Sequence, residues 1–222
     1  MVRSKMTLFN RMLAEALGTF AMVFVGTGAI VIDQQFNGVI THAGIALTFG
    51  LIVLAMIYTL GDVSGAHFNP AVTVAFFAAR RLESNVVIPY VLSQTVGALC
   101  ASGLLWWMFP ESNGLGATHA HGPHLRAFVM EFVLTLILMV VILSVSTGAQ
   151  EKGITAGIVI GSVIGLEAMF AGPVCGASMN PVRSLAPALV SWQLGDLWIY
   201  LLAPVMGALA AVPLTRALRP TV

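Results

Sequence analysis

The sequence predicts an all-α integral membrane protein with six transmembrane helices, two re-entrant half-helices and an inverted internal repeat. Hydrophobic residues make up 58% of the 222 residues and charged residues only 9%, with a mean hydropathy of +0.94. A water-soluble domain of this size does not need so apolar a composition for its core. In addition, six apolar segments are long enough to cross a bilayer, and one ten-residue pattern occurs twice.

The six predicted spans lie at about 9–31, 39–61, 85–108, 126–147, 153–172 and 196–217. A helix needs about 20 apolar residues to cross about 30 Å of hydrocarbon, and each segment has this length. The first span follows basic residues but is span-length and lacks a convincing cleavage site, so we interpret it as a retained helix and not a signal peptide. Short strands of alternating polarity, which are typical of a transmembrane β-barrel, do not occur.

Basic residues are distributed unevenly between the two sides of the predicted bundle. With six spans, the two termini and the second and fourth loops share one side. The basic residues of this side are Arg3, Lys5, Arg11, Arg80, Arg81, Lys152, Arg216 and Arg219. The opposite loops contain only Arg126 and Arg183. Because cytoplasmic loops carry the excess of Lys and Arg, we expect both termini in the cytoplasm and the chain in the plasma or inner membrane.

Two segments, Ser64–Thr73 and Cys175–Ser184, align at an offset of 111 residues, which is half the chain length. Each segment places an Asn-Pro pair inside apolar sequence, at Asn69 and at Asn180. Asn is a preferred N-cap and Pro suits the first helical position, so each pair should begin a helix. The repeated pattern therefore predicts two helices that begin within the membrane.

The two half-helices are predicted over about 69–80 and 180–190, each roughly 17 Å long at about 1.5 Å per residue, which is half a membrane. Three spans in each half make the second half insert upside down relative to the first. The half-helices therefore enter from opposite sides, and their N-termini should meet near the midplane. The irregular backbone before them, 62–68 and 173–179, needs protein or a watery lumen around it at that depth.

The repeat extends beyond these motifs. Gln94–Ala98 in the third span matches Pro204–Ala208 in the sixth, and Glu15 in the first span corresponds to Glu131 in the fourth. The chain is predicted to be a single domain, 1–222, with repeats at about 9–108 and 126–217 that an external loop, 109–124, connects.

The two motifs resemble the signatures of the major intrinsic protein family, the aquaporins and aquaglyceroporins, and the similarity covers essentially the whole chain. Ser64–Thr73 matches the first signature closely. Gly176–Ser184 has Val182 where the second signature has Ala, which is similar to some nodulin-like plant channels that pass metalloid acids. The resemblance implies an aquaporin-like right-handed bundle and a homotetramer with one pore in each protomer. It also implies a channel domain without catalysis or a cofactor.

The pore motif that the resemblance implies consists of Asn69, Pro70, Ala71, Asn180, Pro181 and Val182. Each Asn oxygen would cap its own helix, which leaves the side-chain NH₂ as a donor aimed into the lumen. The two facing helix N-termini each carry about half a positive charge, so the centre should repel cations and hydronium and admit neutral solutes. The net charge of +1 gives no footprint for nucleic acid. The expected partners are water, small neutral solutes and the lipid bilayer.

By the same resemblance, the selectivity filter maps onto Phe49, Ala168, Ala177 and Arg183. Arg183 lies one helical turn after Asn180, and a charge at this depth is expensive unless it faces a wet cavity. The alternative is an Arg that snorkels outward. Water-selective members typically place His at the position of Ala168, and here both alanines are methyl-sized. We therefore expect an opening wider than a water-only filter.

Four further ionisable residues lie within the motifs or spans. The resemblance implies that Glu15 and Glu131 accept N–H bonds from the irregular motif backbone. It also implies that His67 orients the first loop or lines the inner vestibule. Glu167 precedes Ala168, and adjacent helical residues point about 100° apart, so a structural hydrogen bond is favoured over a lumen-side or pH-sensitive role.

Three histidines in the linker, at positions 119, 121 and 124, resemble metal ligands in their spacing. No acidic or thiol residue is near them in the sequence, so we expect a solvated loop and no metal site.

These features predict a passive channel for water and small uncharged solutes that excludes protons and ions. Candidate solutes are glycerol, urea and hydroxylated metalloids such as arsenite, boric acid or silicic acid. A water-selective aquaporin is the alternative. A secondary transporter also uses inverted repeats and broken helices, but the spans show little for a coupling-ion site. An intramembrane hydrolase would need a Ser–His dyad, paired aspartates or a zinc motif, and none is found.

Overall fold

The computed structural model describes residues 6–146 and 150–218, with the side chains of the second range described from residue 155. The described residues form eight α-helices and no strand. They are α1 Leu8–Gln35, α2 Thr41–Ser64, α3 Pro70–Ala78, α4 Ser84–Met108, α5 His124–Val145, α6 Gln150–Cys175, α7 Pro181–Val190 and α8 Leu197–Leu218. All except α3 and α7 are long and apolar enough to cross a membrane. The predicted spans and half-helices are therefore present, and the fold class is confirmed.

Several helices end at residues other than those predicted. The second and fifth spans continue to residues 64 and 175, so the irregular backbone covers 65–69 and 176–180. Both helices stop at a glycine in the left-handed region, Gly65 with φ +89° and Gly176 with φ +80°. Glycine enters this region without the steric cost that a side chain adds, and this conformation ends many helices. The first half-helix ends at Ala78, two residues early, because Arg80 is already left-handed with φ +61°.

The helix contacts repeat between the two halves. α1 packs against α2 and α4, and α5 packs against α6 and α8 in the same way. α2 and α6 form the main contact between the halves. Each half-helix packs against two spans, the last span of its own half and the last span of the other half. Thus α3 packs against α4 and α8, and α7 packs against α8 and α4. Exchanging the two halves thus reproduces every one of these contacts.

Glycines allow the long helices to approach backbone to backbone. A Cβ at Gly97 would lie 2.2 Å from the carbonyl oxygen of Ala16, and a Cβ at Gly207 would lie 2.2 Å from that of Phe132. These glycines occupy matching positions in the two repeats, on α4 against α1 and on α8 against α5. In a membrane, where no hydrophobic force drives helices together, such small residues permit close van der Waals packing.

Basic side chains gather at one end of the bundle, as the sequence predicts. Arg81 donates a hydrogen bond to the carbonyl of Leu143 at 3.0 Å, near the end of α5. Arg216 donates to the carbonyl of Ala78 at 3.3 Å, where α3 ends. Arg3, Lys5, Arg219 and the side chain of Lys152 lie outside the described residues.

Candidate functional site

The two half-helices begin with asparagine caps. Asn69 has extended backbone, and its Oδ1 accepts a hydrogen bond from the N–H of Ala71 at 2.9 Å. Asn180 also has extended backbone, and its Oδ1 accepts from the N–H groups of Val182 at 3.1 Å and Arg183 at 3.4 Å. Each cap satisfies backbone donors that the first helical turn leaves without partners.

Each capping side chain also reaches the opposite half of the molecule. Nδ2 of Asn69 donates to the carbonyl of Met179 at 2.7 Å, and Nδ2 of Asn180 donates to the carbonyl of Phe68 at 2.9 Å. The sequence predicted both NH₂ groups in the lumen, whereas one N–H of each is used across the junction. An amide NH₂ has two hydrogens, so a second donor remains on each side chain. The bridges hold the helix N-termini tip to tip.

The two loops before the caps share an unusual backbone conformation. Ala66 and Phe68 have φ of +52° and +49°, and Ala177 and Met179 have φ of +44° and +53° at the corresponding positions of the second loop. Non-glycine residues rarely adopt the left-handed region, and each such residue costs about 1–3 kcal/mol. The surrounding structure must therefore supply contacts that hold both loops in this shape.

Glu15 supplies these contacts in the first half. Its Oε1 accepts from the N–H of His67 at 3.0 Å and the hydroxyl of Ser64 at 2.6 Å. Its Oε2 accepts from the N–H of Phe68 at 2.7 Å and the side-chain amide of Gln94 at 2.8 Å. The carboxylate is fully buried and has four donors.

Glu131 occupies the equivalent place in the second half. Its Oε1 accepts from the N–H of Ser178 and its Oε2 from the N–H of Met179, both at 2.8 Å. This carboxylate is also fully buried. The structure therefore places one buried carboxylate behind each irregular loop, at the backbone positions that the repeat relates.

A cavity of about 570 Å³ runs past the junction of the half-helices. Asn69 and Asn180 both line it, and it extends from Tyr58 and Asp62 near the end of α2 to Arg183 beyond the junction. Apolar side chains form most of its wall. Such a passage, with a few donors at fixed positions, suits small solutes that carry hydrogen-bonding groups.

The four residues of the predicted filter all line this cavity. They are Phe49, Ala168, Ala177 and Arg183. The guanidinium carbon of Arg183 lies 4.9 Å from the ring centroid of Phe49, a cation–π arrangement. Arg183 is only 3% exposed, and its Nη1 donates to the carbonyl of Gly116 at 2.7 Å. Its Nε and Nη2 hydrogen-bond to no other described residue, which leaves donors for a solute.

The linker contributes to the site, which the sequence analysis did not anticipate. The sequence predicts an external loop at 109–124. In the structure, however, Leu115 of this loop is fully buried, and Gly116 supplies the carbonyl that holds Arg183. Gly116 has φ +73°, and a Cβ there would lie 2.8 Å from Cβ of Thr27. A side chain would not fit at this close approach. No local sequence signal distinguishes this glycine from the others in the loop.

The third residues of the two Asn-Pro motifs do not line the cavity. Ala71 is fully buried, and Val182 is 2% exposed within an apolar cluster that includes Met22 and Val23. The substitution that resembles metalloid channels therefore acts on packing behind the wall. Met22 itself lines the cavity, and its sulfur lies 3.7 Å from Nδ2 of Asn180. Neither motif in the sequence points to Met22, because this residue lies in the first span.

His67 lies at the cavity wall beside the first half-helix. Its Nδ1 hydrogen-bonds with the hydroxyl of Thr73 at 3.1 Å, and its ring stacks on Phe76 with centroids 4.6 Å apart. The sequence offered two roles for His67, orienting the first loop or lining the inner vestibule. The ring packs against the first half-helix and also lines the cavity, so its position is compatible with both roles.

Two tyrosines that the sequence analysis overlooked tie the ends of α2 and α6. The hydroxyl of Tyr90 donates to the carbonyl of Ser64 at 2.7 Å, and that of Tyr200 donates to the carbonyl of Cys175 at 2.8 Å. The repeat offset was sufficient to find this pair, because the tyrosines and their acceptors occupy matching positions.

Glu167 differs from its prediction. The side chain is 6% exposed and does not line the cavity, which agrees with its place beside Ala168 on the helix. However, neither carboxyl oxygen has a hydrogen-bond partner among the described residues, so the expected structural hydrogen bond is not made there.

The linker histidines have an acidic neighbour that sequence proximity did not reveal. Nδ1 of His119 lies 3.8 Å and Nε2 of His124 lies 3.2 Å from the carboxylate of Asp196, and Arg126 donates to the carbonyl of His121. Within 6–146 and 155–218, no group of three His, Cys, Asp or Glu side chains could hold a metal ion.

Comparison with known proteins identifies the family. A family model described as Major intrinsic protein matches residues 2–214. The chain belongs to the major intrinsic protein family. This family member is 43% identical over 213 residues to Nodulin-26 from Glycine max, covering 96% of this chain and 79% of the relative. It is 42% identical over 208 residues to Aquaporin NIP1-1 from Oryza sativa subsp. japonica, covering 90% of this chain and 71% of the relative.

A solved structure shares the fold of this major intrinsic protein. The X-ray structure of the aquaglyceroporin from Plasmodium falciparum aligns with a TM-score of 0.87, covering 96% of this chain and 98% of that one, at 22% sequence identity. At this identity the match concerns the fold alone. Family membership and relatives that are named aquaporins make this chain a membrane channel and not an enzyme.

Proposed function

We propose that this major intrinsic protein is a passive channel for water and small uncharged solutes and that it excludes protons and ions. The observation that carries the proposal is the cavity that passes both asparagine caps where the half-helix N-termini meet. Donors at this depth can hold a water or hydroxyl oxygen in transit, whereas a closed apolar junction could not.

Ion exclusion rests on the charges at the junction and above it. Two helix N-termini point at the same place, and each contributes about half a positive charge. Arg183 adds a full charge, and its hydrogen bond goes to the neutral carbonyl of Gly116. In a narrow, poorly solvated passage these charges raise the energy of a cation, and they leave the energy of a neutral solute nearly unchanged.

The constriction supports solutes larger than water. Ala168 and Ala177 present only methyl groups, and Phe49 forms an apolar wall. The donors come from Arg183 on one side, an arrangement that suits molecules with hydroxyl or amide groups on one face. We therefore propose glycerol, urea and hydroxylated metalloids such as arsenite, boric acid and silicic acid as solutes. A water-selective aquaporin, the alternative, would need a bulkier side chain at these positions.

Stopped-flow light scattering of proteoliposomes tests this proposal. Water flux is measured after an osmotic step, and glycerol, urea and boric acid fluxes after isosmotic solute steps. We expect all four to exceed the flux of protein-free vesicles and to increase linearly with the gradient. A trapped pH dye should report no added proton flux.

Two variants sharpen this experiment. Asn180→Ala removes a cap and a bridge at the junction and should lower every flux, whereas Asn113→Ala on the exposed linker should not. Flux of water alone would favour the water-selective alternative. Saturable flux that follows an ion gradient would favour a secondary transporter and refute the channel.

We also propose that the channel assembles as a homotetramer in the plasma or inner membrane with both termini in the cytoplasm. The tetramer is inferred from family resemblance, and the orientation from the basic residues at one end of the bundle. Native mass spectrometry of the detergent-solubilised protein should give four chains. A reporter that is active only in the cytoplasm should be active when it is fused to either terminus, and a reporter that is active only on the other side of the membrane should be inactive there.

A further inference from the structure

Gly26, a buried residue of α1, leaves space for an aromatic ring of the cavity wall. A Cβ at Gly26 would lie 2.2 Å from Cε1, 2.5 Å from Cδ1 and 2.6 Å from Cζ of Phe49. These distances are far shorter than any contact between carbon atoms. The ring of Phe49 lines the cavity, so the missing side chain at Gly26 allows this part of the wall to lie close to α1.

The backbone that carries Phe49 is held by close packing between α2 and α6. A Cβ at Gly50 would lie 2.5 Å from the carbonyl oxygen of Gly161, and a Cβ at Gly161 would lie 2.6 Å from that of Gly50. Close-packed backbone resists displacement, whereas the atoms of Phe49 that meet Gly26 all belong to the far end of a side chain. A clash at Gly26 is therefore relieved by movement of the ring.

Arg183 lies over the same ring. Its guanidinium carbon is 4.9 Å from the ring centroid of Phe49, and its Nη1 donates to the carbonyl of Gly116 at 2.7 Å. The ring thus meets α1 along one edge and the guanidinium at its face. A displacement that begins at Gly26 is transmitted to the part of the cavity where Arg183 offers its donors.

The second repeat has a different pair of residues at these positions. The counterpart of Gly26, at the spacing between the two buried glutamates, is Ile142, and the counterpart of Phe49, at the spacing between the motifs, is Ile160. Both isoleucines line the cavity. Two aliphatic side chains thus replace a glycine and an aromatic ring. The inverted repeat therefore does not itself require glycine here, and in this chain the glycine accompanies the ring.

A second glycine on the same face of α1 also meets an aromatic ring of the cavity wall. A Cβ at Gly18 would lie 2.1 Å from Cε1 of Phe68, and Phe68 lines the cavity and accepts the bridge from Asn180. Met22 lies between the two glycines and lines the cavity as well. Positions four residues apart share a helix face. This face of α1 therefore lies along the cavity wall from the junction to the predicted filter.

We propose that Gly26 is a specificity-determining residue of the channel, because it lets the ring of Phe49 lie against α1 and thereby sets the width available to a solute beside Arg183. This inference rests on the proposed function. Carbon atoms in contact are about 3.5–4.0 Å apart, so a methyl group on residue 26 would displace the ring edge by about 1.3 Å or more. The ring borders the cavity, and its displacement narrows the passage for glycerol more than for water.

Stopped-flow light scattering of proteoliposomes tests the proposal through the ratio of glycerol to water permeability. Gly26→Ala should lower this ratio about 5-fold or more, as expected for a solute that must displace a close-packed ring. Gly28→Ala is the matched control on the same helix. A Cβ at Gly28 would meet only Cδ2 of Leu105, at 3.3 Å, and Leu105 does not line the cavity, so the ratio should stay at its wild-type value.

A double-mutant cycle tests whether the effect passes through the ring. Phe49→Val retains none of the three atoms that a Cβ at Gly26 would meet. Adding Gly26→Ala to Phe49→Val should therefore leave the ratio close to that of Phe49→Val alone. A purely structural effect of Gly26→Ala would lower the ratio equally in both backgrounds, and this result would overturn the proposal. A wild-type ratio in Gly26→Ala, or equal losses in Gly26→Ala and Gly28→Ala, would also overturn it.

Two further outcomes keep the test decisive. If Gly26→Ala does not fold, the variant that also carries Phe49→Val should fold, and failure of both would contradict the role given to the ring. If the wild type conducts no solute above protein-free vesicles, the channel proposal fails by itself. A crystal structure of Gly26→Ala then still decides the positioning role, because a ring of Phe49 displaced toward the cavity supports it and an unmoved ring overturns it.

Discussion

Replacing Ala168 by His should make the channel pass water far better than larger solutes. Two other side chains of the same cavity wall are held in place, because Phe49 is 8% exposed and the guanidinium of Arg183 is bonded to Gly116. A glycerol-sized solute would have to displace the new ring from a filled site. Such overpacking costs about 1–3 kcal/mol, which slows passage about 5- to 150-fold. Water is small enough to pass beside the ring, and the imidazole offers it another hydrogen-bond partner.

The assay is stopped-flow light scattering on matched proteoliposomes, with water and glycerol permeability measured on the same preparation. Their ratio cancels differences in the amount of reconstituted protein. Ala168→Ser is the control, because it adds a polar atom with almost no bulk and should change the ratio little.

Equal inhibition of water and glycerol by Ala168→His would refute the reasoning, since it would mean that the ring blocks the passage as a whole or that Ala168 lies outside the constriction. An unchanged glycerol permeability would show that the narrowest point is elsewhere along the cavity.

Three further predictions concern packing and loop support. Gly97→Ala should lower the midpoint of thermal unfolding in detergent, because the added methyl group would collide with the backbone of Ala16, at a cost of about 1–3 kcal/mol. Gly103→Ala is the control and should leave the midpoint unchanged, because a Cβ at Gly103 has no other atom within 4 Å. Gly116→Ala should reduce glycerol flux because the carbonyl that holds Arg183 must move; wild-type flux would show that this carbonyl is dispensable. Glu131→Leu leaves two buried N–H groups without an acceptor, about 1–3 kcal/mol each, and should lower the same midpoint more than Glu131→Gln, which keeps an acceptor oxygen. Identical midpoints for these two variants would contradict the role assigned to the carboxylate.

The repeat made much of the site predictable. The offset between the motifs paired Asn69 with Asn180 and Glu15 with Glu131, and the structure brings both pairs to the loops where the halves meet. Phe49 and Ala168 were assigned to the constriction through family resemblance, and both line the cavity. That these residues select solutes stays a prediction.

Other parts of the site could not be predicted because their contacts join distant parts of the chain. Gly116 reaches Arg183 across a loop whose composition suggested only an external linker. Asp196 approaches His119 and His124 from the start of α8, so their isolation in the sequence was misleading. Helix ends shifted by a few residues because left-handed backbone, which depends on the packing of each loop, decides where a helix stops.

The sequence by itself determined the membrane location, the number of spans and the two helices that begin within the bilayer. These properties follow from hydropathy, segment length and capping residues, each of which acts over neighbouring positions. Only the tertiary structure decided that each asparagine bonds to the opposite loop, that the linker carbonyl holds the arginine, and that Glu167 is buried without a hydrogen-bond partner among the described residues. Such contacts depend on how closely two backbones approach, and that distance is set by the packing of the whole bundle.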